Sequence, residues 1–167
     1  KVPETAMVMA AGKGTRMRPL TATRPKPLVE VAGTTLLDHV LDHLRKAGVQ
    51  RVVVNVHYFA DALEAHLASK AGDLEVVISD ERGELLETGG GLMRAKPLLQ
   101  SDPFLCVNTD NIWVDGPING LQLLASHWDD ERMDVLMLLV PLARAHNHHG
   151  RGDFHMDGWG RLSRRKP

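Results

Sequence analysis

Two segments between residues 10 and 28 gather two glycines and four cations. They lie in Ala10-Ala11-Gly12-Lys13-Gly14-Thr15-Arg16-Met17-Arg18-Pro19-Leu20 and in Pro25-Lys26-Pro27-Leu28. Gly12 and Gly14 let backbone come close to a ligand and present its N–H groups, an arrangement suited to phosphate. Lys13, Arg16, Arg18 and Lys26 supply the charge. An arginine can grip two phosphate oxygens at once, whereas a lysine acts as a point charge. The chemistry such a loop offers is the holding of a nucleoside triphosphate. Two better-known phosphate loops are excluded. A Walker A loop needs Ser or Thr directly after Gly-Lys, and Gly14 follows Lys13. The dinucleotide fingerprint needs a third glycine three residues after Gly14, where Met17 stands. A bare Gly-x-Gly also suits an ordinary turn, so the added Thr15-Arg16 and Pro25-Lys26-Pro27 give this loop its specificity.

Two further segments carry candidate chemistry. Glu87-Thr88-Gly89-Gly90-Gly91 opens a helical stretch, where unpaired N–H groups and small residues favour close ligand approach. The same residues would also serve a flexible loop with a helix start. Asn108-Thr109-Asp110 ends an apolar run, and a carboxylate there is a plausible hard-oxygen ligand for a divalent cation. Turn capping is the alternative use of Asp110.

The elements that must position these segments alternate β-branched runs with helical periods. Strands are expected at 5–10, 51–56, 74–79, 104–108 and 134–140, and helices at 35–47, 61–70, 90–99 (broken by Pro97) and 118–127. The near-continuous apolar run Val52-Val53-Val54-Asn55-Val56 suits a strand buried on both faces. The alternation implies βαβ units, hence an α/β fold with a Rossmann-like, mostly parallel sheet and helices on both faces. The Gly12–Gly14 loop then sits at the carboxyl end of the first strand, where open α/β sheets bind ligands. Residues 153–162 read as a hairpin with a type I′ turn at Asp157-Gly158.

Composition narrows the classes. The chain has 167 residues, one domain's worth, with 20 Lys plus Arg against 21 Asp plus Glu and a formal charge of −1. That excludes a strongly basic nucleic-acid binder. The single cysteine, Cys106, excludes an intrachain disulfide and reads as a buried structural thiol. No apolar run reaches the roughly 18 residues of a membrane span, and no signal peptide is evident, so a soluble cytoplasmic protein is expected. His146, His148, His149 and His155 have no Cys partner and read as a polar loop, not a zinc site; His39 and His43, flanked by Asp38 and Asp42, read as a solvated helix face.

The loop Met9-Ala10-Ala11-Gly12-Lys13-Gly14-Thr15-Arg16-Met17-Arg18-Pro19-Leu20, with Pro25-Lys26-Pro27-Leu28 and Val31-Ala32-Gly33, resembles the signature of sugar-1-phosphate nucleotidyltransferases. The resemblance extends to about Leu162. Within the family the pattern is most similar to the small bacterial enzymes that join UTP to N-acetylmuramate-1-phosphate in cell-wall recycling, with mannose-1-phosphate guanylyltransferases next. It implies that Ala11, Gly12, Lys13, Gly14 and Thr15 cradle the triphosphate. Arg16 would contact the β and γ phosphates, and Lys26 the α-phosphate and incoming sugar phosphate. Thr88, Gly89 and Gly90 would line base and ribose, and Asp110 would bind Mg²⁺. Asn108 and Trp113 are candidate sugar contacts. Asn111 departs from the family, which places an apolar residue there. A second metal carboxylate is expected downstream, Asp153 and Asp157 being the late candidates within the chain. The single domain spanning 1–167 is therefore expected to be incomplete at its C-terminal, acceptor-sugar end. A catalytically inactive nucleotide-binding homologue is the alternative of another class. Nothing in the sequence fixes the oligomeric state.

Overall fold

The computed structural model describes residues 1–145 and 148–166. Its centre is a parallel four-stranded sheet of β1 (Thr5–Met9), β4 (Arg51–Val56), β5 (Glu75–Asp80) and β6 (Leu105–Asn108), in the order β5-β4-β1-β6. The chain passes from β1 to β4 on one side and later returns to β6 on the other. That reversal makes the carboxyl ends of β1 and β6 the switch point of the sheet, where a crevice opens. Two short strands, β2 (Glu30–Val31) and β3 (Thr34–Thr35), pair outside the sheet and lead into α1 (Leu36–Ala47).

Side chains alternate across the strands, so each strand serves two cores. Ala6 and Val8 of β1 and Val52, Val54 and Val56 of β4 face one side. There they meet Leu37, Val40, Leu41 and Leu44 of α1, Leu63 and Leu67 of α2 (Ala60–Lys70), and Leu121 of α4 (Gly120–Ser126). Met7 and Val53 face the other side and pack against Ala95 and Leu99 of α3 (Glu87–Leu99). The expected α/β fold with helices on both faces is present. α1 forms because its apolar positions make one stripe and both ends are closed. Thr35 Oγ1 accepts from the Asp38 N–H at 3.1 Å, and Gly48, at φ 99°, ends the helix in the left-handed region.

Several expectations fail for physical reasons. No strand forms at 134–140; Val135, Leu138 and Val140 are exposed. Apolar composition there does not suffice, because β6 pairs only with β1 and no strand occupies its other side among the described residues. Cys106 is exposed, not buried. It stands beside Met7 on this edge strand, outside the cluster that α3 covers. α3 runs through Pro97. The proline lies in the last turns, where it forfeits one hydrogen bond while Leu99 stays buried. α4 is only seven residues, and starts where Asn119 caps the Leu121 and Gln122 N–H groups. The hairpin of β7 (Phe154–Met156) and β8 (Leu162–Arg164) is present. Its turn spans Asp157 to Gly160, with Gly160 at φ 80°, instead of a two-residue type I′ turn at Asp157-Gly158. The Asp157 carboxylate bonds the Trp159 and Arg161 N–H groups and so selects the longer turn.

Leu41→Ala, at a site 1 % exposed, should cost about 2–5 kcal/mol in urea unfolding, while Val135→Ala, at a site 74 % exposed, should change stability by less than about 0.5 kcal/mol in this chain.

Candidate functional site

At the switch point the first loop is held from below. Beyond β1 the Ala10 N–H has no strand partner and donates to Asn55 Oδ1 at 2.6 Å. Asn55 Nδ2 donates in turn to Glu81 Oε1 at 2.9 Å. A carboxylate only accepts, so Glu81 fixes which way the amide points. Both side chains are fully buried. The Leu86 N–H reaches Glu81 Oε2 at 3.4 Å, which ties the approach to α3 into the same network. A Cβ on Gly91 would lie 2.7 Å from Glu81 Oε1. The third glycine of the Gly89-Gly90-Gly91 run therefore makes room for this carboxylate.

The loop itself turns at Gly14, which has φ 62° and sits before the 3₁₀ turn Thr15–Met17. A Cβ at Gly14 would lie 2.9 Å from Lys26 Cβ and 2.9 Å from Thr21 Cγ2. Thr21 is buried; its hydroxyl donates to the Gly14 carbonyl at 2.7 Å, and Tyr58 Oη donates to the Thr21 carbonyl at 3.1 Å. Glycine at 14 thus serves a left-handed turn and lets the segment carrying Lys26 pack tightly on the loop. From the neighbouring strand, buried Thr109 donates its hydroxyl to the Met9 carbonyl at 3.1 Å and docks the end of β6 on the end of β1. Asp110 follows, and Lys26 Nζ bonds its Oδ2 at 2.5 Å across 84 positions of sequence.

A cavity of about 230 Å³ opens among these groups. Of the residues expected from sequence, Ala11, Gly12, Lys26, Thr88, Asn108 and Asp110 line it. Lys13, Gly14, Thr15, Arg16, Gly89 and Gly90 do not, although they belong to the same two segments. Lys13 and Arg16 are exposed and form no ion pair among the described residues. Trp113 lies outside the cavity. Its indole stacks on His43 at 4.1 Å between ring centroids, and the His43 ring also bonds the Trp113 carbonyl at 3.0 Å and Asp115 Oδ2 at 3.2 Å. His43 is therefore no part of a solvated face but the tether of the loop after Asp110. His39 likewise bonds the Val31 carbonyl at 3.0 Å.

Sequence reasoning missed Asn55 and Glu81, and gave Glu87 no role beyond its place in the Glu87–Gly91 segment. Asn55 had a signal, being the one polar residue in the run Val52-Val53-Val54-Asn55-Val56, near its carboxyl end. Glu87 lines the cavity at φ 57°, a left-handed conformation rare for a glutamate and unreadable from residue type. Just before Glu81, Asp80 is held below the usual carboxylate range by the backbone N–H and guanidinium of Arg82, which also binds Asp61 and Glu64. No cluster of three or more His, Cys, Asp or Glu side chains suited to a metal occurs among the described residues. The Asp157 carboxylate is engaged in its own turn. His146 lies outside the described residues. No helix among them is long and apolar enough to cross a membrane.

Residues 5–151 match the nucleotidyl transferase family. The chain belongs to that family. This nucleotidyl transferase chain is 51 % identical over 156 residues to the N-acetylmuramate alpha-1-phosphate uridylyltransferase of Caulobacter vibrioides, a match covering 92 % of the chain and 64 % of that protein. It is 38 % identical over 129 residues to the mannose-1-phosphate guanylyltransferase catalytic subunit beta of Xenopus tropicalis, covering 75 % of the chain and 36 % of that subunit. The chain thus spans less than two thirds of the length of these relatives. In three dimensions it resembles UDP-glucose pyrophosphorylase complexed with UDP-glucose, with a TM-score of 0.65 over 74 % of this chain and 52 % of that one. At 17 % identity that likeness bears on the fold alone.

The two loop glycines separate structure from ligand space. Gly14→Ala should lower stability by about 1–3 kcal/mol in thermal or urea unfolding, because it combines a left-handed residue with two close contacts. Gly12→Ala meets nothing within 4 Å and should unfold like the parent chain, so any loss of nucleotide affinity there reports on space kept for the ligand.

Proposed function

We propose that the protein transfers a uridylyl group from UTP to N-acetylmuramate-1-phosphate, forming UDP-N-acetylmuramate and pyrophosphate. The observation that carries this reading is the convergence of Gly12, Lys26 and Asp110 on one cavity at the switch point, in a chain 51 % identical to a uridylyltransferase. An oxygen of the sugar phosphate attacks the α-phosphorus in line. The bond from that phosphorus to the bridging oxygen breaks, and pyrophosphate departs with the electron pair. No protein nucleophile is needed. Catalysis of this kind rests on positioning and on neutralising charge.

The chain's own residues supply those needs. Backbone at Ala11 and Gly12 borders the phosphates. Lys26 brings its ammonium to the α-phosphate and to the incoming sugar phosphate. Arg16, exposed beside the loop, closes on the β and γ phosphates. Thr88, which lines the cavity, would face the nucleoside. Asp110 suits Mg²⁺ as one carboxylate ligand, since Mg²⁺ takes one or two carboxylates and fills its octahedron with phosphate oxygens and water. A divalent cation held by Asp110 would supply positive charge to offset that of the phosphates. Trp113, occupied by His43, contributes through the loop it anchors and not by stacking on a sugar. The proposed setting is the cytoplasmic recycling of cell-wall sugars.

A second reading, guanylyl transfer to mannose-1-phosphate, draws on the 38 % identity to the Xenopus subunit. Pyrophosphate release with Mg²⁺, measured for UTP, GTP, CTP and dTTP against N-acetylmuramate-1-phosphate, mannose-1-phosphate and glucose-1-phosphate on the protein as its gene encodes it, decides between them. UTP with N-acetylmuramate-1-phosphate should give the strongest signal. A signal only with GTP and mannose-1-phosphate supports the second reading, and nucleotide binding without turnover in any pair supports an inactive homologue. Arg16→Ala should weaken UTP binding about 10- to 100-fold, from the usual strength of charged hydrogen bonds, and UMP binding much less. Equal losses for UTP and UMP would contradict the assigned contact.

A further inference from the structure

Within the cavity Lys26 and Asp110 are bonded to each other. Nζ and Oδ2 stand 2.5 Å apart, and the side chains are 20 % and 39 % exposed. Among the described residues, neither side chain has another hydrogen-bond or ion-pair partner. The two groups that the proposed reaction needs for opposite purposes, an ammonium for phosphate and a carboxylate for a cation, therefore satisfy one another. Lys26 Cβ lies close to Gly14, and the methylenes beyond it let the ammonium change partners by a swing of the far end of the side chain.

We infer that the Lys26–Asp110 pair makes nucleotide and divalent cation bind cooperatively, each ligand removing the contact that opposes the other. The inference rests on the nucleotide reading above. A triphosphate arriving without metal must draw Lys26 away and leaves the Asp110 carboxylate uncompensated beside several negative charges. A divalent cation arriving alone must take Asp110 and leaves the Lys26 ammonium beside two positive charges. Arriving together, each ligand accepts one member of the pair and no charge is stranded. Coupling is reciprocal, so the cation raises nucleotide affinity by the same factor as the nucleotide raises cation affinity. The pair itself carries no net charge, so neither member offers a stray anion or cation an uncompensated partner.

The resulting expectation runs against the usual effect of removing a metal ligand. In EDTA, Asp110→Asn should bind UTP more tightly than the parent protein, by about tenfold on the ordinary scale of coupled sites. With Mg²⁺ the same substitution should weaken UTP binding. Conversely, Lys26→Met should bind Mn²⁺ more tightly in the absence of nucleotide, by about five- to tenfold. Glu87→Gln controls for general repulsion. Glu87 lines the same cavity and pairs with no cation among the described residues, so its loss should raise UTP affinity in EDTA by less than about twofold.

Titration calorimetry of UTP in EDTA and in Mg²⁺, with Mn²⁺ binding read by electron paramagnetic resonance, tests this on the full-length protein. The Asn and Met variants report independently, so misfolding of one leaves the other decisive, and far-ultraviolet circular dichroism identifies it. An Asp110→Asn protein that binds UTP in EDTA no better than the parent, or no better than Glu87→Gln, overturns the inference. If the parent binds UTP with Mg²⁺ in that case, the nucleotide reading stands. A parent protein that fails to bind UTP even with Mg²⁺ overturns both.

Discussion

The site depends on one buried amide. Asn55 lies at the end of β4, accepts from the N–H of Ala10 and donates to Glu81. Ala10 is the first residue past β1, where the sheet stops supplying hydrogen-bond partners. An unpaired N–H buried there would be costly, and a loop free to satisfy it elsewhere would not hold its shape. Asn55 settles the direction in which the loop leaves the sheet. Glu81 settles the direction of Asn55. The network closes on α3 through Leu86 and the gap left by Gly91. A carboxylate this deeply buried is destabilising unless its oxygens are bonded, so these contacts hold together as a set.

From that tie the rest of the cavity follows. With Ala10 fixed, the chain reaches Gly14, and only a glycine can make that turn while the Lys26 segment packs on it. The Thr21 hydroxyl and Tyr58 hold the same region from the side. On the other strand, Thr109 bonds Met9, so Asp110 has little choice of position. His43 then anchors the loop beyond it through the Trp113 ring, the Trp113 carbonyl and Asp115. Lys26 and Asp110 meet because these separate constraints bring their backbones to one place. Their exposure limits what the bond between them adds to stability. Its consequence lies in how ligands enter.

Much of this was legible in the sequence. The strands 51–56 and 104–108 and the helix closed by Thr35 and Gly48 follow from period and capping, which are local properties. The Gly12–Gly14 loop, Lys26 and Asp110 were legible because glycine and cation spacing is itself chemical information. The remainder is non-local. Nothing near Asn55 in sequence says that Glu81 will orient it, and nothing near His43 says that Trp113 will stack on it. The apolar run at 135–140 and the thiol of Cys106 mislead for a shared reason. Both depend on what lies beyond the edge strand β6, and hydropathy reports a preference for burial without saying whether anything provides it.

On the proposed function, the Lys26–Asp110 pair marks the place where triphosphate and metal enter together. A crystal structure of the full-length protein with Mg²⁺ and a non-hydrolysable UTP analogue tests it most directly. The account predicts Lys26 Nζ on a phosphate oxygen, the cation on the Asp110 carboxylate, the phosphates against Gly12, and the Lys26–Asp110 bond broken. Phosphates bound away from the Gly12–Gly14 loop, or a Lys26–Asp110 bond that persists in the complex, would contradict it.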